Sequence, residues 1–280
     1  MNINAQEQKF YYEKNQYLTY KKYGEGSMSI VFLHGFGASK NSWDELYPLF
    51  DTQKYTSYLI DFKGFGNSTI PKDDKYSLKD NAMIILKFIN SNIISNYILV
   101  GHSYGGGVSL ILLSTKQLKT EPKALILLDC AAYNTQTPFF INYLNTPFFN
   151  KMMYLFTTPQ MRASFSLKRI VSPENYSKKM LNRYIESYSG KEKDYSFITT
   201  AKHIDPDNYK ELISSYEKIK IPTLIIWGKQ DNVLSLEQGV MLSKQIKSSK
   251  LEIIDNCGHI PNEEKPLETY KKIISFIQNL

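Results

Sequence analysis

The chain has 280 residues, 42% of them apolar and 22% charged, a balance that can bury a large core and excludes an intrinsically disordered protein. Its 34 Lys and Arg outnumber 27 Asp and Glu, but the lysines are scattered (Lys21, Lys22, Lys178, Lys179, Lys218, Lys220, Lys271, Lys272). With neither a basic cluster nor a recognisable binding module, no nucleic-acid partner is expected, and the net +7 reads as solvated surface with a weak preference for anions.

Aromatic-rich segments predict two short strands, Lys9 to Lys14 and Tyr17 to Tyr23, parted by Asn15-Gln16. Ser29 to Leu33 is an apolar strand ending in His34-Gly35-Phe36-Gly37. Asn41 to Phe50 is expected as a helix that Pro48 ends or kinks. Thr56 to Ile60 is the next strand, closed by Asp61-Phe62-Lys63-Gly64-Phe65-Gly66-Asn67-Ser68. Ser77-Leu78-Lys79-Asp80 has the spacing of a capping box, and the helix it opens carries Leu78, Ala82, Ile85, Leu86 and Ile89 on one face.

Tyr97 to Val100 then runs straight into Gly101-His102-Ser103-Tyr104-Gly105, and a helix-compatible stretch, Val108 to Leu118, follows. Strand, sharp turn and helix with a serine at the turn is the G-x-S-x-G nucleophile elbow. Glycines two positions either side remove Cβ atoms that would collide in so tight a bend. The serine is pushed out above the sheet edge, over a helix N-terminus suited to a developing negative charge. A Gly-rich serine turn can also be only a packing bend, so the partners downstream decide.

Ala124 to Leu128, Thr223 to Trp227 and Lys250 to Ile254 are further strands, with a helix from Ser235 to Ile246 between the last two. A final helix, Leu267 to Leu280, has Leu267, Tyr270, Ile273, Ile274 and Ile277 as its apolar face. Continuous apolar strands alternating with helices mean a mainly parallel sheet covered on both sides. The interval Ala131 to Ile219 has no clear strand, helix-like segments and many aromatics, among them Phe139, Phe140, Tyr143, Phe148 and Phe149. An insertion of that size is a lid rather than a loop. No apolar run reaches the roughly 20 residues of a bilayer span, and Met1 to Lys14 lacks the apolar core of a secretory signal. A cytoplasmic location without a membrane span is the expectation. Cys130 and Cys257 are too few for a disulfide framework or a structural zinc site and read as small buried residues.

The chain resembles the α/β-hydrolase superfamily over essentially its whole length. The resemblance is carried by His34-Gly35-Phe36-Gly37, the Asp61-x-x-Gly64-x-Gly66-x-Ser68 loop, Gly101-His102-Ser103-Tyr104-Gly105, Trp227-Gly228-Lys229-Gln230-Asp231 and Gly258-His259. It implies an α/β-hydrolase fold: an eight-stranded sheet, only the second strand antiparallel, with a helical cap after the sixth strand. The core would comprise 1–132 and 213–280, and the cap 133–212. The implied strand order separates strands six and eight by roughly 9–10 Å, beyond the about 7 Å that a Cys130–Cys257 bridge tolerates.

A serine hydroxyl needs a base, and imidazole titrates near working pH. Of four histidines, His34 and His102 sit inside backbone-driven motifs, and His203 lies in the cap region. His259, on the loop after the last strand, is the expected base for Ser103. The imidazole needs an acid to fix its tautomer. Asp231 fits the chain order Ser, acid, His. The rival is Asp129, where some family members place the acid, and a turn or helix cap is the bland alternative for Asp231. The family's oxyanion hole would use the backbone N–H groups of Phe36 and Tyr104. Asp61 is expected to be structural.

The expected reaction is hydrolysis of a small carboxylic ester through an acyl-enzyme, needing no cofactor or metal. Phe36, His102, Tyr133, Phe139 and Phe140 are the expected substrate-binding residues, and the cap aromatics imply an apolar or aromatic substrate unless they are merely the cap's own core. Alternatives are a carbon–carbon bond hydrolase using the same triad, or a small-molecule receptor that retains it. Haloalkane dehalogenases place aspartate where this chain has Ser103. Perhydrolase and haloperoxidase activities are possible side reactions.

Overall fold

The structure is a computed structural model in which residues 6–92, 94–133, 138–190, 192–206 and 208–280 are described. Eight strands form one sheet: β1 (Gln6–Glu13), β2 (Gln16–Tyr23), β3 (Met28–Leu33), β4 (Tyr55–Ile60), β5 (Tyr97–His102), β6 (Ala124–Leu128), β7 (Thr223–Gly228) and β8 (Ser249–Ile254). Their spatial order is β1-β2-β4-β3-β5-β6-β7-β8, and β2 alone runs antiparallel to its neighbours. The central strands alternate between two cores. Val31, Leu99, Leu127 and Ile225 face one side, Phe32, Val100, Ile126 and Leu224 the other, and all are fully buried. This period of two explains why the strands read as unbroken apolar runs: both faces are covered.

Helices α1 (Leu78–Ser91) and α2 (Tyr104–Ser114) pack together on one face, and α1 opens with the Ser77–Asp80 capping box. The helix expected over Asn41 to Phe50 is not formed. Two 3-10 turns, Lys40–Trp43 and Tyr47–Leu49, stand there instead, closed by i to i+3 bonds such as Asp44 N–H to the Asn41 carbonyl and Phe50 N–H to the Tyr47 carbonyl. Pro48 has no N–H to give and disfavours helical backbone at Tyr47, leaving a segment too short to propagate. Helix α2 begins earlier and ends sooner than the Val108 to Leu118 expectation, because it springs directly from Ser103 and Lys116 takes a left-handed backbone just past its end.

Between β6 and β7 lie α3 (Phe139–Asn145), α4 (Pro147–Phe156), α5 (Pro159–Ile170), α6 (Lys178–Tyr188), α7 (Lys193–Lys202) and α8 (Tyr209–Ser215). Here α5 packs on α6 and α3 on α7, while α8 returns to touch α2. After β7 come α9 (Leu236–Gln245), α10 (Pro261–Glu264) and α11 (Pro266–Ile277). On α11 the inward stripe is Ile273, fully buried, with Tyr270, Phe276 and Ile277 half-buried beside it. Leu267, expected on that stripe, is exposed in the first turn, beyond the reach of the core. Cys130 and Cys257 are buried free thiols.

Candidate active site

Ser103 sits between β5 and α2 with φ 49° and ψ −114°, a backbone conformation that L-residues rarely adopt. The strain is held by crowding: a Cβ on Gly105 would stand 2.2 Å from the Leu33 carbonyl oxygen, and one on Gly101 2.5 Å from that of Gly105. Only glycine permits the helix to start this close to β3, and the bend turns Ser103 Oγ toward the sheet edge. There the Nε2 of His259 lies 3.0 Å from Ser103 Oγ, and its Nδ1 lies 2.7 Å from Asp231 Oδ2.

Asp231 uses its two oxygens for two tasks. Oδ1 accepts the N–H groups of Val233 and Leu234 at 2.7 and 3.0 Å, the turn-capping role given as its bland alternative, while Oδ2 is left for the imidazole. Under this turn the buried Trp227 donates its indole N–H to the Leu234 carbonyl at 3.0 Å. Asp129, the rival acid, is fully buried and has its Oδ1 occupied by the Gly228 N–H at 2.9 Å. Burial, followed by the charge of Asp231, raises its carboxyl well above the usual range. Held toward its protonated form and bonded through Oδ1 to Gly228, it is not the partner of the imidazole, which lies on Asp231 Oδ2. Asp129, Asp231 and His259 do bring possible ligand atoms within 4.8 Å of one another, but a metal there would have to displace the bonds just described.

His102 is buried, and its Nε2 lies 2.8 Å from the backbone carbonyl of His259. Desolvation lowers its pKa to about 3, so the ring is neutral and donates that bond. It also lines the small pocket at Ser103. His34 is neutral for the same reason, its pKa lowered to about 4, and it bridges the Gly35 carbonyl and the Phe62 N–H. His203, at the end of α7, is half-buried and lies outside the residues that line the Ser103 pockets. Asp61 takes the Lys40 N–H and ammonium, the Thr19 hydroxyl and the Asn67 N–H, all at 2.6 to 2.9 Å, which is a structural assignment.

Phe36 lies within the His34–Gly37 motif and Tyr104 directly after Ser103, and among the described residues neither backbone N–H has an acceptor. Two small pockets of about 30 and 60 Å³ reach Ser103, and Phe36 and Phe140 line both. Tyr133 lines the second and hydrogen-bonds Gln245 through its hydroxyl at 2.8 Å. The side chain of Phe139 lies outside the described part of the chain. Beyond Phe36 and Phe140, whose rings stack at 5.7 Å, a larger apolar cavity of about 490 Å³ opens among α3, α4, α5 and α6, with Ser166 and Tyr188 shared with the pocket at His259.

One residue that the sequence reading passed over stands behind His259. Glu264 accepts the N–H groups of Gly258 and Ile260 at 2.9 and 3.2 Å, on either side of His259, and the N–H of Ser172 at 2.9 Å. The only sequence signal is a carboxylate five residues after the histidine, in a short helix opened by Pro261.

Among the described residues no helix is long and apolar enough to cross a membrane. The chain is 26% identical over 261 residues to the monoacylglycerol lipase ABHD6 of Mus musculus, covering 90% of this chain and 76% of that one. Among solved structures it is similar to an alpha/beta hydrolase fold protein from Burkholderia ambifaria, with TM-score 0.84, 20% identity and coverage of 98% and 100%. It is also similar to a thermophilic esterase from Thermogutta terrifontis, with TM-score 0.81, 17% identity and coverage of 98% and 99%. Residues 29–266 match the model of the alpha/beta hydrolase fold family, and with that sheet order and serine elbow the chain belongs to it.

Proposed function

We propose that this protein is a serine esterase that cleaves carboxylic esters with an apolar acyl or alcohol group, within a core of 1–132 and 213–280 covered by a cap at 133–212. The observation that carries the reading is the Ser103–His259–Asp231 relay, with bonds of 3.0 and 2.7 Å. Ser103 Oγ attacks the ester carbonyl while His259 Nε2 takes its proton, and Asp231 stabilises the imidazolium. The N–H groups of Phe36 and Tyr104 receive the oxyanion, an interaction worth about 3 kcal/mol per donor in the transition state. Collapse expels the alcohol, protonated by His259. Water, deprotonated by the same ring, then attacks the acyl-enzyme and frees Ser103.

The ester-cleaving relatives support the reaction type, and the apolar cavity of about 490 Å³ next to Phe36 and Phe140 supports an apolar substrate. Incubation with a fluorophosphonate, adduct mapping by mass spectrometry, and turnover of short-chain p-nitrophenyl esters on the same preparation test it. Stoichiometric labelling at Ser103 with rapid turnover is expected. Labelling without ester turnover transfers the assignment to carbon–carbon bond hydrolysis or a receptor role, and no labelling of folded protein overturns the triad.

A further inference from the structure

Helix α4 presents its apolar side to solvent. Phe148, Phe149, Met152, Leu155 and Phe156 recur at i, i+1, i+4, i+7 and i+8, a single helical face, and each is between 40% and 68% exposed. The inward side holds Asn150, Met153 and Tyr154, with the Asn150 amide donating to the Leu144 carbonyl at 2.8 Å. Tyr143, Met161 and Phe165 widen the patch. Of the fourteen large apolar side chains exposed among the described residues, eight fall within 143–165. An apolar patch this concentrated on a domain's surface marks a contact surface.

Charge identifies what it contacts. From Cys130 to Pro173 the chain has no Asp or Glu but four cations, Lys151, Arg162, Lys168 and Arg169. Lys151 stands exposed in α4, Lys168 and Arg169 are exposed in the last turn of α5, and Arg162 lies over the Tyr154 ring at 4.7 Å. An apolar face fringed by cations, with no anion in the whole segment, matches the boundary between acyl chains and anionic headgroups. Phe149, Met152, Met161 and Phe165 also line the cavity of about 490 Å³, so that cavity adjoins the patch.

We propose that the outer face of α4 and the adjoining end of α5 form a docking surface for an anionic lipid layer. Docking does not depend on the esterase reading: it is scored by binding, so its failure and that of the triad are distinguishable. The full chain is sedimented with phosphatidylcholine vesicles, with and without about 30% phosphatidylglycerol. Binding is expected to the anionic vesicles and to weaken several-fold on neutral ones or at about 0.5 M salt. The triple variant F148S/L155S/F156S changes exposed residues that line neither the cavity nor the Ser103 pockets. It should keep its melting temperature and short-ester turnover while its partition falls on the order of tenfold or more. Lys151→Glu with Lys168→Glu should abolish the preference for anionic vesicles. No binding to anionic vesicles, binding that survives the triple substitution, or a dimer that the triple substitution dissolves would each overturn the proposal, the last by assigning the face to a second copy of the chain.

Discussion

The backbone N–H of His259 donates to the carbonyl of Ile170 across 2.7 Å, tying the loop that carries the imidazole to the last residue of α5. Glu264 completes the tie, since its carboxylate accepts N–H groups from Gly258 and Ile260 on one side and from Ser172 on the other. The position of the imidazole is therefore fixed jointly by the sheet edge and by the helical segment above it.

Glu264→Gln should expose that coupling. The amide keeps one acceptor but turns an NH2 group toward N–H donors, so the loop loosens. A misplacement approaching 1 Å costs about 100-fold in rate, so kcat for a short soluble ester should fall by about 10–100-fold while KM changes little. Fluorophosphonate labelling of Ser103 should slow in parallel. If the variant melts earlier but keeps its kcat, Glu264 only holds the fold together and does not position the base.

Asp231→Asn and Asp129→Asn should separate the two buried acids. The first leaves the imidazole without its acceptor and should lower kcat by about 10⁴-fold. The second keeps the oxygen that accepts the Gly228 N–H and replaces a carboxyl held toward its protonated form with a neutral amide, so activity should stay within about tenfold. The sign of the pH effect follows from the raised pKa of Asp129: the unfolded carboxyl ionises above 3.8 while the folded one holds its proton. Its contribution to stability is complete below that pH and is lost as pH rises toward the folded pKa. Asp129→Asn removes this loss, so urea unfolding should find the variant gaining on wild type as pH rises above 3.8. A larger activity loss at Asp129 than at Asp231 would reverse the assignment.

How much of this was legible in the sequence depended on whether the signal was local. Ser103 and its flanking glycines declare a strained turn within five residues, and the apolar runs of β3, β5, β6 and β7 declare buried parallel strands. Asp231 was legible by chain order, whereas its division of labour between Val233, Leu234 and His259 depends on where β7 ends. Glu264 was not legible, because its partners at Ser172 and Gly258 meet only once the helical segment has folded onto the sheet edge. Pro48 reads as a breaker, but its effect in reducing 41–50 to 3-10 turns depends on how few helical residues remain before it. The aromatics of α4 read equally well as pocket or core; their outward orientation is set by Met153 and Tyr154 taking the inward positions.

Acid should destabilise the fold through His34 and His102. Both are neutral when folded, with pKa lowered from 6.5 to about 4 and about 3, so as pH falls below 6.5 the unfolded chain binds protons that the folded one refuses. Their stabilisation is complete above 6.5 and is lost on the way down to the folded pKa values, with a slope of about 1.4 kcal/mol per pH unit for each ring. His102→Gln should lower stability at pH 7 and flatten the dependence between pH 6.5 and 5 by close to one proton, read from urea unfolding at several pH values. An unchanged slope would mean that His102 is protonated in the fold.

Phe36→Ala isolates the backbone contribution at the oxyanion position from that of the ring. The N–H survives the substitution, so kcat for p-nitrophenyl acetate should remain within about tenfold, against the 10²–10³-fold loss that follows removal of a true donor. The ring has a different task. Its stacking on Phe140 at 5.7 Å and its edge contact with Phe197 at 5.5 Å divide the small pockets at Ser103 from the large apolar cavity. Removing it joins the two spaces, so the preference should move toward longer acyl chains, measured as the ratio of kcat/KM for p-nitrophenyl octanoate and acetate. A collapse of kcat for the acetate ester with the fold intact would show that the ring, and not the amide, carries the catalytic contribution of this loop. An unchanged chain-length ratio would mean that the apolar cavity is not where the substrate chain lies.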